Sequence, residues 1–150
     1  MKTIAVIPAR LASTRLPRKM LREIHGKTLL GRVYEGVRAS PLLEDVIIAT
    51  DTEEILQFSA RNGWHVRMTS TNHRSGTERV HEISQTVPAD VYLNIQGDEP
   101  LTRPEHIAAL LEVMQEPGVQ VGTLKTVAAP EDILNPNAVK VVTEVHADEI

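Results

Sequence analysis

Short apolar runs rich in β-branched residues alternate along this chain with stretches of helical period, and that alternation leaves few architectures open. Ile4–Ile7, Val46–Ala49, Val91–Ile95, Val121–Leu124 and Val139–Val142 are too brief for helices and read as buried strands. Between them, Leu30, Val33, Tyr34 and Val37 fall at i, i+3, i+4 and i+7, as do Ile107, Leu110, Leu111 and Met114, so both segments are predicted to be amphipathic helices. Capping-box spacing marks three helix starts: Asp51 with Glu54, Ser75 with Glu78, and Thr102 with Glu105, where Pro104 sits in the first turn. Strand–helix–strand order predicts an α/β fold with a mostly parallel central sheet flanked by helices. In such sheets ligands bind beyond the carboxyl ends of the strands. Four segments therefore matter most: Pro8 to Lys19, Thr50–Asp51, Arg74 to Arg79, and Gln96 to Pro100.

With 150 residues, 41% of them hydrophobic, the chain is expected to be a single globular domain over 1–150. No repeat, low-complexity segment or linker interrupts it. It lacks cysteine, which excludes disulfides and thiolate metal sites and fits a cytoplasmic location. No apolar stretch approaches membrane-spanning length, and no signal-peptide cleavage site follows the first strand. The net charge of −4 argues against general nucleic-acid binding. Charge is unevenly placed, however. Residues 1–40 carry nine Lys or Arg against two Glu, whereas the remainder carries seven against eighteen acidic residues. A basic first quarter on an acidic protein suggests a focused anion site. After Val139–Val145 the chain reads "HADEI" and stops, so the domain is expected to be truncated at its C-terminus.

Several familiar chemistries are absent. "HGKT" (His25–Thr28) has Leu21 where a P-loop needs its first glycine, and no G-x-G-x-x-G or G-x-S-x-G occurs. "HEISQ" (His81–Gln85) places Gln85 where a zinc-protease helix needs its second histidine. The loop "PARLASTRLPRK" is more informative. Arg10, Arg15, Arg18 and Lys19 lie in a segment that Pro8, Pro17 and small residues keep from being a helix. Cations crowded at a strand's end repel one another unless an anion joins them, and Arg forks with a Lys point charge suit a polyphosphate. "NIQGDEP" (Asn94–Pro100) has two readings. Either Gly97 provides a tight turn before the helix, or Asp98 holds Mg²⁺ opposite the cationic loop. Ser75 and Asp51 likewise read first as helix caps and second as ligand contacts.

"IPARLASTRLPRKML", "ATDTEEI", "HRSGTERV", "NIQGDEPL" and "NPNAVKVV" stand together in the order in which they occur in the 3-deoxy-manno-octulosonate (Kdo) cytidylyltransferases. The chain resembles that family, within the wider group of sugar nucleotidyltransferases, from Ile4 to its last residue. The resemblance implies a Rossmann-like nucleotidyltransferase fold of the nucleotide-diphospho-sugar transferase type. It implies transfer of CMP from CTP to Kdo with release of pyrophosphate and with Mg²⁺ as cofactor, for lipopolysaccharide biosynthesis. A non-catalytic nucleotide-binding domain, or a cytidylyltransferase for a related sugar acid, is the alternative. By position, Ala9, Arg10, Ser13 and Lys19 would bind the triphosphate, joined by Arg15. Thr50, Asp51, Arg74, Ser75 and Gly76 would surround the nucleoside, Arg15 would contact the sugar acid, and Gln96 would contact the sugar acid or the nucleotide. Arg15, Lys19 and Asp98 would carry the chemistry, with Asp98 as the metal ligand. The chain departs from the family at Arg18 and Met20, where glycine and proline are usual, and at Arg74, where glutamine is common. Family members are longer and form homodimers, and their remaining part supplies a second metal carboxylate and much of the Kdo site. CTP and Kdo are the implied partners, with neither nucleic acid nor membrane.

Overall fold

The computed structural model describes residues 1–11 and 16–142. The chain divides into two compact units, 1–109 and 110–150. In chain order the elements are β1 (Thr3–Ala9), β2 (Glu23–Ile24), β3 (Lys27–Thr28), α1 (Leu29–Arg38) and β4 (Asp45–Thr50). They continue with α2 (Glu53–Arg61), β5 (Val66–Met68), α3 (Gly76–Thr86), β6 (Val91–Asn94) and α4 (Pro104–Val113), which crosses from the first unit into the second. Short 3-10 turns occupy Lys19–Leu21 and Pro130–Asp132.

The first unit is built on a parallel sheet of order β5-β4-β1-β6, as the strand–helix alternation predicts. β1 lies at its centre, with Ile4 to Ala9 paired to Asp45 to Thr50 on one side and Thr3 to Val6 paired to Val91 to Asn94 on the other. Every residue of β1 is buried, which is why its sequence is a continuous apolar run. On one face Ile4, Val6, Ile47 and Ala49 pack with Val80 and Ile83 of α3. Strand alternation turns Ala5, Ile7, Val46 and Ile48 to the opposite face, and they are equally buried, so the central strands are covered on both sides.

The helices form for local reasons the sequence displays. Thr28 caps α1, its hydroxyl accepting from the Gly31 N–H at 3.1 Å, and Leu30, Val33, Tyr34 and Val37 form the buried stripe. Tyr34 stacks on Trp64 with ring centroids 4.7 Å apart, and Phe58 meets the same indole edge-on. Two small elements had no strand-like signal. β5 is a three-residue edge strand whose Arg67 and Met68 are exposed, so it carries no apolar run. The β2–β3 hairpin turns on His25 and Gly26, both with positive φ (48° and 74°), the geometry of a two-residue I′ turn.

The second unit corrects two expectations. Val121–Leu124 and Val139–Val142 are not strands. A β-branched run becomes a strand only against a paired neighbour, and among the described residues of this unit none is paired. Val121, Val139 and Val142 are accordingly 87%, 96% and 94% exposed.

α1 yields a test of packing against propensity. Alanine is normally favoured over glycine inside a helix by about 1 kcal/mol. At Gly36, however, an added Cβ would lie 2.6 Å from the carbonyl oxygen of Thr102, and a backbone oxygen has little room to yield. Gly36→Ala is therefore expected to destabilise the fold, by roughly 1–3 kcal/mol as for other overpacked sites, read as a lower urea midpoint.

Candidate functional site

The chain leaves β1 to build β4 and β5 on one side of it and then returns to add β6 on the other. Loops leaving β1 and β6 therefore diverge at their carboxyl ends, and the crevice between them is the usual ligand position in a parallel sheet. A cleft of about 500 Å³ occupies this place. Pro8, Arg10, Leu16, Lys19 and Met20 line it from the β1 side, Gln96, Gly97 and Asp98 from the β6 side, and Gly76 and Arg79 from α3.

Cation and carboxylate meet across the cleft, where Lys19 Nζ donates to Asp98 Oδ2 at 2.7 Å. Both groups are partly exposed, so the pair is accessible to ligand. Arg10 is also exposed. Gln96 Nε2 donates to Asn94 Oδ1 at 3.3 Å, and Asn94 Nδ2 donates to Thr77 Oγ1, linking the end of β6 to the first turn of α3. Close backbone approach makes this geometry possible. A Cβ on Gly97 would lie 2.9 Å from the Pro8 oxygen and 2.7 Å from Met20 Cε, and one on Gly76 would lie 3.1 Å from Pro8 Cγ. Gly97 lies in the turn expected from sequence, closed by the Glu99 N–H donating to the Gln96 carbonyl at 3.1 Å, but its φ is not positive, so it is close approach rather than backbone conformation that calls for glycine there.

A second wall joins the ends of β4 and β5 to α3. Ser75 caps α3 as predicted, its hydroxyl accepting from the Glu78 N–H at 3.2 Å. Glu78 does not return to Ser75. Its carboxylate accepts instead from the Arg74 N–H at 2.7 Å, closing the box one residue earlier. That bond, more than the nearby His73 and Arg74, holds the Glu78 carboxyl below its ordinary pKa against an opposing effect of desolvation. Glu82 accepts from the Ser70 N–H at 2.9 Å and pairs with His73 Nε2. These two contacts, the Ser70 bond first, lower its pKa also. Residues 70–74 are thus held by side chains of the first two turns of α3.

Arg79 is the residue that sequence reasoning did not single out. It is 1% exposed, donates from Nη1 to Thr69 Oγ1 at 2.6 Å and to the Ser70 carbonyl at 3.0 Å, and pairs through Nη2 with Asp51. An arginine at a helix position reads as a solvated surface residue; only its partners, 10 and 28 positions away, reveal its burial.

The cleft therefore brings together Arg10, Lys19, Gly76, Gln96 and Asp98 of the predicted site. Ala9 is buried at the end of β1, in register with Thr50. Thr50 is buried as well, and its polar atoms are engaged within the fold: the hydroxyl accepts from the Thr52 N–H, and the carbonyl accepts from the Thr69 N–H and hydroxyl. Arg74 and Ser75 are exposed beside Gly76, outside the cleft lining. Ser13 and Arg15 lie outside the described residues.

Three sequence expectations change. Asp51 does not cap α2, whose N-cap is Thr52 without a side-chain bond, because its carboxylate is held by Arg79 and by the Thr52 hydroxyl. Glu54, its expected capping partner, pairs with Arg18 instead. Thr102 does not directly precede α4, which starts at Pro104, and the Arg103 N–H donates to His106 Nδ1 at 3.2 Å. Arg18 also gains an account. Its φ of 56° is left-handed, the conformation that makes glycine usual, and here an arginine is held there with its guanidinium on Glu54. Met20 fills the space against Gly97 where the family has proline.

The family described as Cytidylyltransferase matches residues 4–150. The 3-deoxy-manno-octulosonate cytidylyltransferase of Koribacter versatilis (strain Ellin345) is 64% identical over 143 residues, covering 95% of this chain. The chain spans 55% of that relative's length. Among solved structures, CMP:2-keto-3-deoxy-manno-octonic acid synthetase complexed with CTP has a TM-score of 0.74 and 41% identity, over 77% of this chain and 48% of that one. Rv0371c from Mycobacterium tuberculosis, in complex with manganese, shares the fold at a TM-score of 0.56 and 16% identity, over 76% of this chain and 60% of that one.

The lowered carboxyl groups on α3 give a pH dependence with a definite sign. Their folded pKa values lie below the unfolded ones, so their contribution is present above the ordinary carboxylate pKa of about 4.3. It is lost as pH falls through the lower folded values. Glu82→Gln is expected to flatten the decline in unfolding free energy between about pH 5 and pH 3, measured by urea titration at each pH.

Proposed function

The chain belongs to the cytidylyltransferase family, and on that premise we propose that it binds CTP in the β1–β6 cleft and serves the transfer of CMP to 3-deoxy-D-manno-octulosonate. The observation that carries this reading is the Lys19–Asp98 pair, where a cation from the first loop and a carboxylate from the second meet at a parallel sheet's switch point. CTP is named in the solved relative, and the sugar acid in the names of the relatives.

In the reaction the anomeric hydroxyl oxygen attacks the α-phosphorus and gives up its proton to solvent, an O–P bond forms, and the bond from the α-phosphorus to the bridging oxygen breaks, so that oxygen leaves with pyrophosphate. Charge then accumulates on the leaving group. Arg10 and Lys19, which line the cleft, would neutralise it, and Arg15 and Ser13 of the same sequence segment are proposed to join them. The Gly76 edge, the Arg74 guanidinium and the Ser75 hydroxyl would meet the nucleoside, and Gln96 the sugar acid. Thr50 and Asp51 support that wall from below.

Asp98 would hold Mg²⁺. Its carboxylate already carries a cation, the Lys19 ammonium, as a stand-in at 2.7 Å. One carboxylate also suits a metal commonly held by one or two carboxylates together with substrate phosphates. Bound there, the metal would supply charge neutralisation at the phosphates. Lys19 would then exchange Asp98 for a phosphate oxygen. We place the whole protein in the cytoplasm as a homodimer, supplying lipopolysaccharide assembly. Among the described residues no helix is long and apolar enough to cross a membrane.

Calorimetric titration with CTP tests the placement. Arg10→Ala and Lys19→Met are each expected to weaken CTP binding by about tenfold or more, since hydrogen bonds to charged groups contribute about 1.5–3 kcal/mol. Asp98→Asn is expected to abolish the Mg²⁺ dependence of that binding. Unchanged affinity in the first two variants would remove the triphosphate from this cleft, and a retained Mg²⁺ dependence in the third would remove the metal from Asp98.

A further inference from the structure

Arg79 is a buried charge that none of the proposed phosphate or metal roles uses. Its guanidinium closes a ring of polar contacts. Nη2 holds the Asp51 carboxylate at the end of β4, and Nη1 holds both the Thr69 hydroxyl and the Ser70 carbonyl at the start of the β5–α3 loop. The Thr69 hydroxyl in turn donates to the Thr50 carbonyl at 3.1 Å, and the Thr69 N–H donates to the same oxygen at 2.7 Å. Of the two chain segments joined in this way, 69–76 carries the residues proposed to face the nucleoside, and 50–51 is proposed to support them. Neither belongs to the loop proposed to hold the triphosphate.

A role in packing alone does not account for the arginine. Desolvating a guanidinium is costly, and an apolar residue of similar volume commonly serves a core as well or better. What an arginine adds is a rigid planar fork that fixes several acceptors at once. Here those acceptors lie on two different loops, and Arg79 also lines the cleft beside Gly76.

We infer that Arg79 is a positioning residue for nucleoside recognition: its fork locks the β4 end to the β5–α3 loop, so that Arg74, Ser75 and Gly76 present a preformed edge to the base and ribose. The inference rests on the proposed nucleotide site. It assigns Asp51 to the Arg79 fork rather than to the ligand. The preformed edge spares the ligand the ordering of a loop, which is how preorganisation raises affinity.

The test compares two probes on the same protein: CTP, which uses both the phosphate loop and the nucleoside wall, and inorganic tripolyphosphate, which uses the phosphate loop alone. Arg79→Gln is expected to weaken CTP binding by on the order of tenfold while tripolyphosphate affinity stays within about twofold of the parent. Thr69→Val keeps the side chain's shape and the Asp51–Arg79 pair but removes the hydroxyl that Arg79 holds. It is expected to weaken CTP binding several-fold, again sparing tripolyphosphate, and it carries the test if Arg79→Gln does not fold. Equal losses for both probes would make Arg79 a general structural residue and overturn the inference, as would unchanged CTP binding in both variants. If the parent itself binds CTP no more tightly than tripolyphosphate, the nucleoside reading of this wall fails, and the failure is recognisable because it precedes any mutation.

Discussion

The pairing of β1 with β4 on one side and β6 on the other is the constraint on which the rest of the structure depends. Because β1 is buried on both faces and along its whole length, its carboxyl end is fixed at the centre of the sheet. Its loop and the loop after β6 must then leave in different directions and open a cleft between them. The same pairing sets Ala9 beside Thr50, which fixes where the β4 end begins relative to the basic loop. Substitutions that disturb this packing would reach the site without touching it, and Gly97 shows how little slack there is between the Pro8 carbonyl and Met20.

Two kinds of electrostatic arrangement share the site and differ in burial. Lys19 and Asp98 form a partly exposed pair, which contributes little to stability in water and is easily exchanged for ligand. Arg79 and Asp51 form a largely buried pair, with side chains 1% and 18% exposed, in which losing one partner would strand the other. Exchangeable charge thus faces the proposed triphosphate, and fixed charge supports the proposed nucleoside wall. Glu78 and Glu82 extend the fixed group by holding the N–H groups of Arg74 and Ser70.

Much of the first unit was legible in the sequence, for physical reasons that also explain the failures. β1 and β4 announced themselves because strands buried in a parallel sheet must be apolar along their length, and β6, at the end of the sheet with only Leu93 buried, kept a short β-branched and aromatic run. β5 did not, since an edge strand with exposed Arg67 and Met68 owes its conformation to its neighbour. Val121–Leu124 and Val139–Val142 failed in the opposite way, having the composition of strands without a paired neighbour. The same contrast holds at the site. That Arg10, Lys19 and Asp98 would share one cleft was legible because charge at a strand's end is unusual. Asp51 was misread as a cap, and Arg79 passed over, because their roles lie in contact with each other across 28 residues of sequence. Arg18 looked anomalous in sequence and proved to be an arginine held in a left-handed conformation with Glu54 as partner.

The most direct test of the account is a crystal structure of the chain soaked with CTP and Mg²⁺. The account predicts the triphosphate between Arg10 and Lys19, the Lys19 ammonium moved from Asp98 to a phosphate oxygen, and Mg²⁺ held at Asp98. A nucleotide bound elsewhere, with the 2.7 Å Lys19–Asp98 contact intact, would contradict it.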